Sequence, residues 1–334
     1  MDNLRKSIIA WASLIGLIAV AFLWSEFFLP LNPTSSKIID FTIEKGQGAS
    51  QISRALKDQG MIKHSSMFRV YALITGRAEK LQAGQYELFP SMSIAKLVKK
   101  FSRGDVKKEK ITILEGWDLR NIGDYFESLG ICSKDEFLVL AKKDFSQDLA
   151  ILEDKPSDST IEGYLFPDTY EISLDIGAED IIKKILGNFD KKLTIELEKE
   201  ILRQKKTVFD IITMASLIEN EVKSMEDKKI VSGLLWKRIK IGMPLQVDAT
   251  VLYLTKEEDR EVTYDDLKID SPYNTYKYYG LPKGPISNPG LDSIVAAIYP
   301  TETNYLYYLT GLNGKTFFSK TFAEHAAAIR KYLR

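Results

Sequence analysis

The chain has 334 residues, enough for a membrane segment and two or three modest domains, and its 46 basic and 46 acidic residues cancel. With no basic excess to displace counterions, nucleic acid or another polyanion is disfavoured as a partner. One cysteine, Cys132, excludes an intrachain disulfide framework and a cysteine-based zinc site. Two distant histidines, His64 and His325, leave little from which to build a multi-histidine metal centre. What remains is chemistry on carboxylates, hydroxyls or lysine, with no metal or cofactor expected.

Ser7 to Ser25 is an uncharged run rich in Ile, Leu, Ala, Val and Trp, extended past Glu26 by Phe27, Phe28 and Leu29. A helix needs about 20 such residues to cross the hydrocarbon core. Arg5 and Lys6 precede it, so residues 7–29 are expected to form a single-pass anchor with the N-terminus in the cytoplasm and the rest outside the cell (inner) membrane. A cleaved signal peptide is the alternative. Against it, the run is longer than a usual apolar signal region, and its Ala19-Val20-Ala21 site lies within that run.

Residues 1–30 are thus cytoplasmic tip and anchor, and 31–37, with Pro33 and hydroxyl residues, a linker. An internal repeat follows. Thr42 to Gly46, then Ile52, Leu56 and Gly60, recurs as Thr112 to Gly116, then Ile122, Phe126 and Gly130, offset by 70 positions throughout. Each copy predicts a short strand, a glycine turn and a helix that stops at glycine. Residues 83–88 read as a strand and 93–101 as a small helix ending near Gly104. Region 38–157 is therefore expected to hold two related small α+β units, bounded by the polar stretch Glu153 to Ser159.

Beyond it, 158–334 predicts helices at 178–190, 208–222 and 291–299. A hairpin is expected from Tyr305 to Phe318, turning at Asn313-Gly314, and a final helix from about Thr321 to the end. The overall class is α+β.

The helix from Thr207 to Val222 matters most. Val208, Ile212, Ala215 and Glu219 share one stripe, so Glu219 ends an apolar face, where desolvation would raise its pKa as a general acid requires. Position alone does not separate this from a structural glutamate paired with Lys223. Glu221 points roughly 200° away from Glu219 and cannot form a closely spaced pair with it, leaving it a supporting role or a surface charge.

After Pro244 the sequence alternates, placing Gln246, Asp248 and Thr250 on one extended face that could line a sugar groove; Asp248 could equally cap a helix from Ala249. Ser271 to Gly290 is a long loop bearing Tyr273, Tyr276, Tyr278 and Tyr279 beside Asn274 and Thr275. That suits carbohydrate stacking, or aromatics packed on the core. Two motifs are incomplete: Ser93-Ile94-Ala95-Lys96 lacks the companion Lys-Thr-Gly of acyl-serine enzymes, and Gly46-x-Gly48 lacks the rest of a dinucleotide fingerprint.

From about Phe41 onward the chain resembles the YceG-like (MltG-type) endolytic murein transglycosylases. The resemblance rests on Glu162-Gly163-Tyr164-Leu165-Phe166-Pro167-Asp168-Thr169-Tyr170, Ala215-Ser216-Leu217-Ile218-Glu219-Asn220-Glu221 and Gly242 to Asp248. Ser271 to Tyr276, Gly280 to Ile286 and Tyr305-Leu306-Tyr307 follow in the family's order. Asn220 stands where a basic residue is frequent in the family, and Val247 where threonine is.

The resemblance implies LysM-like character for region 38–157 and a catalytic domain at 158–334. It implies a lyase that cleaves between N-acetylmuramic acid and N-acetylglucosamine, leaves 1,6-anhydro ends, and acts on nascent strands to end their elongation. Glu219 is the residue expected to serve as acid/base. Glu221, Gln246, Asp248, Asn274, Thr275, Tyr276, Glu162 and Tyr164 are the expected substrate-binding or supporting residues. Peptidoglycan glycan strands and a penicillin-binding synthase are the implied partners. A membrane-tethered, non-catalytic glycan scaffold is the alternative, and an acyl-serine peptidase using Ser93 and Lys96 a further one.

Overall fold

The computed structural model describes residues 2–147, 149–173, 176–257, 260–312 and 314–333. Met1 of the expected cytoplasmic tip, Asn313 of the hairpin turn and the terminal Arg334 lie outside the described residues. The fold is mixed helix and strand, and the chain divides into two compact units, residues 1–110 with 171–176, and 111–170 with 177–334.

The first unit begins with α1 (Asp2–Phe28), whose stretch Arg5–Phe28 is long and apolar enough to cross a membrane; residues 5–24 are exposed, and Phe27 near its end is buried against the body of the unit. It continues with β1 (Ile39–Ile43), α2 (Ala49–Asp58), α3 (Ser65–Ile74), β2 (Gly84–Leu88) and α4 (Ile94–Arg103). β1 and β2 pair antiparallel, Phe41 opposite Tyr86. Phe41, Ile52, Leu56, Phe68, Tyr86 and Phe101 fill the core beneath that ribbon. Ser93 starts α4 by accepting a hydrogen bond from the Lys96 backbone N–H at 3.4 Å, so its hydroxyl serves as a helix cap. The residues expected to link anchor and body are not loose: the Asn32 N–H donates to Pro90 O at 3.3 Å.

β3 (Lys108–Thr112) pairs with β4 (Thr169–Ser173) in a two-stranded ribbon along which the chain passes between the units. α5 (Leu119–Ser128) and α6 (Lys134–Leu140) follow β3. The repeat is visible in the backbone: Gly46 and Gly116 take φ of +85° and +81°, and Gly60 and Gly130 +69° and +68°, each closing the same turn. The second copy nevertheless belongs to the second unit, not to a common region ending at residue 157. Its turn is sewn there by Gly116 N–H to Asn288 O (3.0 Å) and Asn288 N–H to Trp117 O (2.8 Å).

The rest of the second unit runs α7 (Ala178–Lys192), α8 (Ile195–Arg203), α9 (Val208–Glu221), α10 (Met225–Lys240), α11 (Asp248–Thr255), α12 (Leu291–Ile298), β5 (Tyr307–Thr310), β6 (Thr316–Ser319) and α13 (Phe322–Tyr332). α9 starts with a reciprocal cap: Thr207 Oγ1 accepts from Asp210 N–H, and Asp210 Oδ2 from Thr207 N–H, both at 3.0 Å. From Ile211 to Ile218 every residue of α9 is buried, so it is the central rod of the unit. α10 and α12 pack along it, and Gly233 lets the chain after α12 cross α10. A Cβ there would lie 1.9 Å from Thr301 O, so no larger residue fits without backbone movement. β5 and β6 form the expected hairpin, Tyr307 opposite Ser319.

Candidate functional site

Two carboxylates at the C-terminal end of α9 turn to opposite sides. Glu219 faces inward. Its Oε1 lies 3.0 Å from Nζ of Lys228 on α10, and its Oε2 accepts from Gly290 N–H at 2.9 Å and from the Ser293 hydroxyl at 2.7 Å. The Glu219 and Lys228 side chains are 9% and 5% exposed. An apolar surround, or Lys223 as partner, is what the sequence suggests. The structure instead supplies a buried ammonium, an amide and a hydroxyl, while Lys223 is exposed.

Glu221 is half-buried and accepts hydrogen bonds from the Tyr308 hydroxyl and the Ala249 backbone N–H. Burial pushes its pKa up to about 7, helped by the charge on Asp248 and opposed by Tyr308, Arg238 and Ala249. Burial also raises the Tyr308 hydroxyl well above its ordinary range, and the neighbouring Glu221 adds to the rise. This is the desolvated carboxyl that the sequence reading expects at Glu219, two residues further along.

Two concavities meet at Glu221 and Asp248, which line both. The larger, about 850 Å³, is also walled by Arg238, Gln246, Tyr276, Tyr307 and His325. The smaller, about 290 Å³, is walled by Asp118, Arg120, Asn220, Leu252 and Tyr253. Glu219 lines neither.

Of the other sequence candidates, three reach this groove. Asp248 is exposed and accepts a hydrogen bond from the Tyr276 hydroxyl. Gln246 is exposed on the rim with φ +51°, a conformation that costs a non-glycine residue about 1–2 kcal/mol. It is held there by its N–H to Thr275 O (3.1 Å) and by Val247 N–H to Thr275 Oγ1 (3.0 Å). The alternation predicted after Pro244 holds for Leu245 to Asp248, but α11 begins at Asp248, and Thr250 is buried.

Four candidates are framework instead of surface. Asn274 is fully buried; its amide donates to Leu267 O and Ile269 O at 3.0 and 2.9 Å, bracing the loop behind Tyr276. Thr275, 1% exposed, clamps Val247 and lies 3.0 Å from Thr250 Oγ1. Tyr164 is buried in the core against Phe189, and burial pushes its hydroxyl above the ordinary range. Glu162, 3% exposed, accepts from Leu119 N–H and from the Asn288 amide, both at 3.1 Å. It ties the second repeat copy to the loop before α12. Gly163 beside it has φ +86°, and a Cβ there would lie 2.6 Å from Ile212 Cγ2, so this turn admits glycine. The tyrosine-rich loop also divides: Tyr276 reaches the groove, Tyr273 packs on Tyr253 with ring centroids 5.3 Å apart, and Tyr278 and Tyr279 are exposed.

Burial raises the Glu162 pKa to about 8, with Asp118 adding to the rise. A carboxyl shifted this way contributes most to stability below its ordinary value near 4.5, and that contribution disappears as pH climbs through about 8. Urea midpoints of the wild type should therefore fall between pH 5 and 9. Glu162→Gln should flatten part of that fall, Glu221 accounting for the remainder of it near pH 7. Equal slopes in wild type and variant would show that Glu162 ionises freely.

Arg238, Tyr307, Tyr308 and His325 belong to the groove without having been singled out from sequence. Arg238 is 4% exposed and donates to Leu306 O (2.7 Å) and Leu245 O, and its guanidinium lies 5.3 Å from the Tyr307 ring centre. His325 stacks on Tyr307 at 5.3 Å. Tyr307 and Tyr308 are neighbours on β5 and both line the groove, so strand alternation does not pick them out; Arg238 and His325 come from separate helices and carry no local signal.

The site is thus a half-buried carboxyl shared by two concavities at the end of a helix whose middle, residues 211–218, is buried. The chain belongs to the YceG-like family, whose profile matches residues 41–331. A Bacillus subtilis (strain 168) protein named endolytic murein transglycosylase is 36% identical over 95% of this chain and 91% of its own length. One of the same name from Streptococcus pneumoniae (strain ATCC BAA-255 / R6) is 31% identical over 92% of this chain, which spans 61% of that longer protein. A crystal structure of a yceG-like protein from Listeria monocytogenes, 36% identical, covers 87% of this chain and 99% of that one with a TM-score of 0.59.

Proposed function

We propose that this protein is a membrane-anchored lytic transglycosylase of peptidoglycan whose acid/base is Glu221, with Glu219 a structural carboxylate. The observation that carries this assignment is the position of Glu221 where two concavities meet, desolvated enough to hold a proton near neutral pH. Room on both sides of the carboxyl suits cutting within a strand, since sugars must be seated before and after the scissile bond. The names of the relatives supply the substrate class.

In the reaction, protonated Glu221 donates its proton to the glycosidic oxygen as the bond from that oxygen to C1 of N-acetylmuramic acid breaks. Positive charge develops at C1 beside the Asp248 carboxylate, which the Tyr276 hydroxyl holds in place. Glu221, now anionic, takes the proton from the same sugar's C6 hydroxyl. The C6 oxygen closes on C1, giving a 1,6-anhydro end and returning Glu221 to its acid form. α1 fastens the enzyme to the membrane with the groove outside, where a penicillin-binding synthase would deliver nascent strands.

Asp248 also supports a second reading, hydrolysis, in which it would activate a water. Incubating the full-length protein with purified sacculi and analysing products by mass spectrometry separates the two. Anhydro-muramic ends support the lyase, reducing ends the hydrolase. No products from folded wild type would favour the non-catalytic scaffold. The acid form of Glu221 is the competent one, so kcat/KM should be level below about pH 7 and fall about tenfold per unit above it. A profile flat to pH 9 would remove Glu221 as the acid.

A further inference from the structure

We propose that α3 lies on the outer leaflet of the membrane that α1 crosses, so that the first unit binds lipid through its own surface as well as through its anchor. The proposal rests on reading α1 as a membrane span.

α3 has two apolar faces. One carries Phe68 and Ala72, both fully buried in the core of the first unit. The other carries Val70, Leu73 and Ile74, which are 40%, 72% and 66% exposed. These three stand at i, i+3 and i+4, one stripe on the helix. Leaving it in water would expose contiguous aliphatic surface that soluble domains ordinarily cover.

The contacts of α3 with α1 say what covers it. The Tyr71 ring lies 5.0 Å from Phe27 and 6.0 Å from Phe28, and Phe28 in turn lies 4.5 Å from Trp24. His64, capping the start of α3, has Nδ1 3.0 Å from Glu26 Oε2. α3 is therefore docked abreast of the last turn of α1, where charge first reappears after the apolar run. Trp and Tyr concentrate at this level of a bilayer, between hydrocarbon and headgroups. Trp24 and Phe28 are about 6 Å apart along the helix axis. Leu73 and Ile74 follow Tyr71 by two and three residues, no more than about 5 Å along α3. Amphipathic helices that lie in the interface sink about 5–10 Å into it, so the stripe falls within that depth. Arg69, Arg77 and Lys80 flank the stripe, with Glu79 the lone acid between His64 and Lys80, which suits lipid phosphates. A lipid surface satisfies both the apolar stripe and its basic flanks.

The test uses the full chain in liposomes of phosphatidylcholine and phosphatidylglycerol, in a Cys132→Ser background. Single cysteines replacing Leu73, Leu17 and Arg54 would each carry an environment-sensitive fluorophore. Leu73 and Arg54 are exposed positions where a label disturbs no packing. Quenching by lipids spin-labelled near the headgroup, with a blue shift of emission, is expected at position 73. Position 17 should respond to deep spin labels, and position 54, on α2, to neither. Position 73 as unquenched as position 54, with position 17 quenched, would overturn the proposal while leaving the anchor standing. An unquenched position 17 would remove the anchor, and the proposal with it.

Discussion

Replacing Glu221 by glutamine should lower turnover of peptidoglycan at least about a thousandfold without unfolding the protein. A single positioned proton donor is worth about 10²–10⁴ in rate, and in the proposed reaction one carboxyl serves both as the donor to the leaving oxygen and as the acceptor from the C6 hydroxyl. Glutamine keeps the shape and can still accept from the Tyr308 hydroxyl and Ala249 N–H, but it can neither give up nor take a proton at neutral pH. The fold should tolerate the change because the native carboxyl holds its proton until about pH 7. Above that pH the wild type bears a desolvated charge that the variant lacks, so the variant should lose less stability from pH 6 to 9. The decisive measurement is a pair: anhydro-muramic product formed per unit time, and thermal midpoint of the same preparation. Retained activity with an unchanged midpoint would return the acid/base to another residue, Asp248 first.

How far the site could be read from sequence turns on α9. Its existence, length and limits are legible: a Thr207 cap, an apolar run and a stop near Val222. The choice between its two carboxylates is not, for a physical reason. The stripe argument assumes that one face of a helix meets the core and the other meets water, so that the residue ending the apolar stripe is the unusual one. Residues 211–218 are buried on every side. In such a helix a stripe distinguishes nothing, and the residue continuing it points into packing, where Glu219 finds Lys228. Lys228 sits nine positions on, on the following helix, beyond any i,i+4 pairing. The site opens where α9 ends, and the chain places Asp248, Tyr276 and Tyr308 there from segments up to 87 residues distant. The alternation after Pro244 places Gln246 and Asp248 at the surface because Leu245 and Val247 are buried between them, although Gln246 itself takes φ +51° and the segment is not a regular strand. In the loop from Ser271 the polar residues have the composition of ligands, yet Asn274 and Thr275 are buried, and buried polar side chains are needed to satisfy backbone groups. Asn274 and Thr275 are spent on that. The repeat was legible as local geometry, but which unit each copy joins depends on partners, Asn288 and Glu162, far away in sequence.

Glu219→Gln should fail differently, in folding before chemistry. The carboxylate is one half of an ion pair whose members are 9% and 5% exposed, and removing one partner of a buried pair costs about 3–5 kcal/mol because the other is left as an uncompensated charge. Glutamine's oxygen can still accept from Gly290 N–H and the Ser293 hydroxyl. Its amide then faces the Lys228 ammonium, donor against donor. For a unit of this size each kcal/mol moves the midpoint by about 2–4 °C, so a fall of roughly 6–20 °C is expected. Adding Lys228→Met should recover most of it, since a buried charge pair replaced by neutral side chains is often no less stable. Glu221→Gln has no such partner to rescue it. Assayed well below its midpoint, folded Glu219→Gln should keep kcat within about tenfold of wild type, a loss of less than about 1.4 kcal/mol in transition-state stabilisation. A thousandfold loss in that variant, with the midpoint unmoved, would instead place the acid/base at Glu219 and make Glu221 its neighbour in support.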